Sequence, residues 1–117
     1  MANLHNRQGD VLQILREDLT LEKLKEQAEQ VKPKAGQNIL AEGEATGHAH
    51  RVAAQQDGAE VTMWMMNDTR FLHVPKTKAG TVKLTHEEHA TVTLGEGVYE
   101  IRQQREWSGE AVRNVMD

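Results

Sequence analysis

The sequence predicts a mainly β fold: a small single-domain barrel or two-sheet sandwich of roughly eight short strands, with one amphipathic helix near 20–32 and a short C-terminal helix. Three observations carry that expectation. From residue 37 onward, short apolar stretches alternate with turn signals such as Asp57-Gly58, Asn67-Asp68 and Gly95-Glu96-Gly97. Helical periodicity of useful length is confined to one stretch before residue 34. The 117 residues fit a single domain, with no internal repeat, low-complexity tract or linker.

Gly9–Arg16 opens with a Gly-Asp turn signal and runs into Val11, Leu12, Ile14 and Leu15, a short β-branched apolar run that reads as a strand buried on both faces. Asp18 or Thr20 can cap the helix that follows, since either side chain accepts from an amide of the first turn. Leu21, Leu24, Ala28 and Val31 form its apolar stripe, Glu22 and Lys25 support it three residues apart, and Pro33 and Gly36 end it. The stripe is thin. The 18–34 region therefore reads as a helical insertion lying on the sheet.

Strands are expected at Gln37–Ala41, His48–Ala54, Ala59–Met66, Arg70–Val74, Gly80–Leu84, Glu88–Leu94 and Gly97–Glu106. Alternation places Val61, Met63 and Met65 on one face and Thr62, Trp64 and Met66 on the other. Gly95-Glu96-Gly97 reads as a hairpin loop, with Val92/Leu94 and Tyr99/Ile101 pointing inward. Ser108 can cap a terminal helix, and Trp107 stands at staple spacing from Val112.

The core must be lean. The chain has one Phe, one Tyr and two Trp, so burial depends on aliphatic side chains that contribute roughly 1.5–3 kcal/mol each. A subunit interface would help such a domain, and a homo-oligomer is expected. The net charge of −4, with scattered lysines and arginines, disfavours nucleic acid. The absence of cysteine removes disulfides, thiolate metal sites and thiol nucleophiles. No apolar run approaches the roughly 20 residues of a membrane span, and Met1–Arg7 lacks the features of a signal peptide, which makes the cytoplasm the expected location.

Histidines supply the one candidate chemical site. His48 and His50 stand two apart, which on a strand puts both imidazoles on one face. Imidazole is the commonest metal ligand, and two rings on a rigid strand can hold adjacent coordination positions. His73 lies on another expected strand and His86 shares the face of Val82 and Leu84; they complete a set of four candidate metal ligands, with Glu88, two residues after His86, as an oxygen donor. The cofactor such a set would suit is one divalent transition metal. His89 reads as outward with Thr91 and Thr93, and His5 as part of a frayed terminus. The same rings also fit a structural role, hydrogen-bonded to loops and carbonyls. Asp10 and Glu42/Glu44, beside glycines, read as solvated turn carboxylates rather than acid–base groups.

The His48-x-His50 pair on a strand is similar to the first metal-binding motif of the cupins, although Gly43 stands four intervening residues before His48 rather than five and no glutamate follows at the motif's distance. A broader resemblance rests on Arg7-Gln-Gly-Asp-Val-Leu12, Gly43-Glu-Ala-Thr-Gly-His-Ala-His50, Leu84-Thr-His-Glu-Glu-His89 and Gly97–Trp107. These blocks resemble an uncharacterised family of small bacterial and phage β-rich proteins. That resemblance implies a compact β domain and no particular activity.

Two functional expectations follow. The first is a non-catalytic, oligomeric binding or structural accessory module of a bacterium or phage, with a protein partner, since no complete catalytic constellation is present. The alternative is a cupin-like, histidine-ligated metalloprotein with an open position for water or substrate.

Overall fold

The structure, a computed structural model, describes residues 5–42, 48–103, 105–107 and 112–114. In chain order its elements are β1 (His5–Gln8), β2 (Val11–Leu15), α1 (Leu21–Gln27), β3 (Glu29–Val31), β4 (Gln37–Glu42), β5 (Ala49–Ala53), β6 (Gln55–Gln56), β7 (Ala59–Glu60) and β8 (Thr62–Met66). Then come β9 (Thr69–Val74), β10 (Thr81–Thr85), β11 (Val92–Gly95), β12 (Gly97–Gln103), β13 (Arg105–Trp107) and β14 (Val112–Asn114). Three two-residue turns have both central residues in the left-handed region: Ala35 and Gly36 (φ 51° and 77°), Asp57 and Gly58 (φ 52° and 77°), and Asn67 and Asp68 (φ 50° and 63°). Such paired positive φ values match the twist of hairpin strands, and Asn, Asp and Gly fill all of these positions but Ala35.

Two antiparallel sheets form a sandwich. The larger has the order β1-β2-β12-β9-β8-β3, and the smaller β11-β10-β5-β4. Period-two alternation directs Val11, Met63, Leu72, Val74, Tyr99 and Ile101 of the larger sheet against Leu40, Val52, Val82, Leu84 and Leu94 of the smaller. This shared core is almost wholly aliphatic, as the composition requires. The opposite face of the larger sheet carries Trp64, Phe71 and Val98, and α1 covers them with Leu24, while Leu19, Leu21, Ala28 and Met66 pack around the edge. Among the described residues, no helix is long and apolar enough to cross a membrane.

The structure corrects several expectations. Thr20 does cap α1, its hydroxyl accepting from the Lys23 amide at 3.2 Å. The helix nevertheless ends at Gln27, because Ala28 turns extended (φ −122°, ψ 163°). The second half of the expected helix becomes β3, whose backbone pairs with β8. Leu21, Leu24 and Ala28 still cover the sheet, but Val31 reaches the central core from a strand. His5, expected to fray, lies in β1, opposite Ile14.

Gly95-Glu96-Gly97 is not a hairpin loop. β11 belongs to the smaller sheet and β12 to the larger, so this segment is a corner between layers. Gly97 sits there at φ 148°, where an added Cβ would meet Leu15 Cδ1 at 2.7 Å. Val112–Asn114, within the expected C-terminal helix, is strand β14, and Trp107 and Val112 are cross-strand partners. Their spacing, read as a helix staple, serves a hairpin equally well. Ser108 lies outside the described residues.

Candidate metal centre

The bulged edge strand β4 pairs with β5, placing His50 opposite Ala41. β5 also pairs with β10, with Val52 opposite Leu84 and Arg51 opposite Thr85. One antiparallel step further brings His86, just beyond β10, alongside His50, and their ring centroids lie 4.3 Å apart. The chain then folds back sharply at His86-Glu87-Glu88-His89. His86 Nδ1 accepts from the backbone amides of Glu88 at 3.0 Å and His89 at 3.3 Å, so the imidazole itself caps the turn.

That turn returns the His89 ring to 4.6 Å from His86 and 5.9 Å from His50, nearly parallel to the latter. His48, immediately before β5, meets His86 edge-on at 5.7 Å. Four imidazoles therefore converge where β5 meets the β10–β11 hairpin. His48, His86 and Glu87 each offer a ligand atom, and these atoms lie within 4.8 Å of one another. His48 and His86 are half-buried and Glu87 is exposed. The Glu87 carboxylate is anchored at both oxygens, by the Ala49 amide at 3.0 Å and by Arg51 Nη1 at 2.7 Å. Those bonds, the Ala49 amide foremost, hold its pKa down at about 2. His48 Nδ1 stands 3.6 Å from Glu88 Oε1.

Beneath this mouth lies a buried polar layer. Gln8, at the end of β1, donates through Nε2 to the carbonyls of Leu84 at 3.0 Å and Ala90 at 2.9 Å. Its Oε1 lies 2.8 Å from His50 Nδ1. Asp10, in the turn after β1, brings Oδ1 to 3.9 Å from His50 Nε2, and Asp10 Oδ2 accepts from Gln103 Nε2 at 3.0 Å. The His50 and Asp10 side chains are each only 4% exposed. Burial, reinforced by nearby His86, pushes the His50 pKa down to about 4 against the opposite pull of Asp10, leaving the ring neutral at ordinary pH.

The structure brings together three of the four sequence candidates, His48, His50 and His86. His73 lies elsewhere: on β9, opposite Thr62 and Val98, with Glu22 and Lys25 of α1 among its charged neighbours. Burial lowers its pKa there. His89, read as outward, faces the cluster because the expected strand from Glu88 begins only at Val92. Asp10, read as a solvated turn group, is buried. Gln8 carried no signal in its own stretch of sequence, since its partners stand 42 to 82 residues away. The His86–His89 spacing was a readable hint, because a capped turn returns residues three apart to the same side.

Imidazole nitrogens with carboxylate oxygens at partial exposure make a donor set for Zn(II), Fe(II), Mn(II) or Ni(II). No curated protein and no solved structure matches the chain. A family model described as a domain of unknown function (DUF8820) matches residues 7–104, which takes in every residue of the cluster, and the chain belongs to that family.

Proposed function

We propose that this chain is a metal-binding module that holds one divalent first-row ion at the mouth of the sandwich through His48, His86 and Glu87. The observation that carries the reading is the approach of three ligand atoms from two chain segments to within 4.8 Å of one another. Ligands about 2.0–2.2 Å from a common ion lie up to roughly 4 Å apart, so small side-chain adjustments complete the set. The scaffold also fits: Glu87 is oriented by the Ala49 amide and Arg51, and His86 directly follows β10.

The ion would supply Lewis acidity at a position that solvent and a small ligand can reach. The chain's own part is to bind and orient it. Elemental analysis of untagged protein purified without chelator tests the reading, with His48→Ala/His86→Ala alongside. Near-stoichiometric metal in the wild type and none in the folded double variant is the expected result. Equal metal content in both, or none in the wild type even after incubation with zinc, cobalt(II), manganese(II), nickel(II) and iron(II) in turn, rejects it.

A further inference from the structure

We infer that Gln8 is the positioning residue of this centre: its buried amide clamps both limbs of the turn that carries His86 and Glu87, and keeps them in place when His86 turns to the ion. The inference rests on the metal reading and extends it from the ligands to what orients them.

Gln8 stands at the end of β1, in the larger sheet, where it is paired with Val11. Its side chain nevertheless reaches the smaller sheet. Nε2 meets Leu84 O at 3.0 Å, two residues before His86, and Ala90 O at 2.9 Å, one residue after His89. One NH2 group thus bridges the two limbs of the His86–His89 turn at its base. Gln8 is only 2% exposed, and both carbonyls only accept, so the NH2 end must face them. Oε1 is left for His50 Nδ1 at 2.8 Å, which ties the same amide to β5, two residues from His48.

The clamp matters because another fastening of the turn is given up to the metal. Without an ion, His86 Nδ1 accepts from the Glu88 and His89 amides and caps the turn from within. Ligation removes that acceptor: Nδ1 either gives its lone pair to the ion or, when Nε2 binds, carries the ring proton. The Gln8 bonds use none of these atoms. They therefore persist in both states and carry more of the turn's order in the loaded one. Ligand side chains must be held to within about 0.5 Å of the productive geometry, and losing such supporting hydrogen bonds costs about 10–100-fold in metal affinity. A merely structural bond would stabilise the metal-free and metal-loaded folds equally and leave affinity unchanged.

The test is zinc titration of the full chain carrying Gln8→Met beside the wild type, with urea midpoints for the metal-free forms and visible spectra for the cobalt(II) forms. Methionine keeps the length of the side chain and removes its donors. Zinc binding to the folded variant should weaken by about 10–100-fold, and the cobalt(II) bands should shift as the ligand geometry loosens. Wild-type affinity in a folded Gln8→Met protein overturns the inference alone. A second measurement needs no variant and decides the matter if Gln8→Met does not fold: NMR hydrogen exchange of the Gln8 side-chain amide in the wild type, before and after zinc. Its NH2 protons should stay protected in both states while the Glu88 and His89 amides lose protection. Gln8 NH2 protons that exchange in the zinc-loaded protein as fast as those of an exposed glutamine also overturn the inference alone. No zinc binding by the wild type overturns it together with the metal reading.

Discussion

Arg51 Nη1 and Glu87 Oε2 lie 2.7 Å apart, joining β5 to the His86–His89 turn at the mouth of the histidine cluster. The pair does two opposed things for a cation. It steadies a carboxylate whose other oxygen is held by the Ala49 amide, and it places a fixed positive charge beside the ion. Because the Ala49 amide still holds one Glu87 oxygen once Arg51 is replaced, removing the charge should dominate. Arg51→Gln should therefore bind zinc more tightly, by about fivefold, in line with roughly 1 kcal/mol for a half-exposed charge. Titration at low and high salt checks the cause: the gain should shrink as salt screens it.

The turn itself should respond to the ion. His86 Nδ1 accepts from two backbone amides, and ligation ends that role whichever nitrogen binds. If Nδ1 ligates, its lone pair is used; if Nε2 ligates, the ring proton moves to Nδ1. Zinc should accelerate hydrogen exchange at the Glu88 and His89 amides while β5 and β10 stay protected. His86→Asn should keep the turn, because an asparagine oxygen caps backbone in the same way, and lose the metal. Unchanged exchange at both amides in zinc-loaded protein would remove His86 from the ligand set.

These relationships mark what the sequence made legible. The His48-x-His50 pair was readable because a strand has period two, and Leu94, Tyr99 and Ile101 were readable as core for the same reason. The tight turns were readable because Asp57-Gly58 and Asn67-Asp68 tolerate positive φ. The helix length was not, because Val31 serves a helix stripe and an edge strand equally, and pairing to β8 is a tertiary fact. The burial of Asp10 and Gln8 was not legible either. Both are polar residues in a turn-like context, made buried by partners on the far side of the sandwich. Gly95–Gly97 shows the same limit: a glycine-rich corner and a hairpin loop share a composition and differ in which sheet the next strand joins.

Acid stability should depend on Glu100, on the helix side of the larger sheet. Burial pushes its pKa up, but hydrogen bonds from Arg102 and Arg16 outweigh that and leave it below the ordinary 4.5. The unfolded chain therefore binds this proton at higher pH than the folded one. The stabilisation is fully present above about pH 4.5 and is lost as pH falls through the lower folded value. Urea midpoints for the wild type should fall progressively below pH 4.5. Glu100→Gln should start lower, having lost the charged bonds to Arg16 and Arg102, and decline less steeply over that window. Parallel curves would show that other carboxylates govern the acid limb.

Metal binding should be separable from the helix side of the fold. Leu24 is fully buried and anchors α1 over Trp64, Phe71 and Val98, on the sheet face opposite the central core. Leu24→Ala removes that anchor and leaves a cavity, at a cost of about 2–5 kcal/mol, because the rigid sheet beneath cannot collapse to fill it. The histidine cluster is held from other elements, by the β5–β10 register and the Gln8 bonds, so the folded variant should keep wild-type zinc stoichiometry. His73→Ala should do the same, because its ring belongs to β9 beside α1 and is absent from the ring contacts of the other four. Denaturation midpoints and zinc titrations on both variants check this. Loss of zinc from a fully folded His73→Ala protein would place a ligand on the wrong side of the sheet and reject the site as drawn.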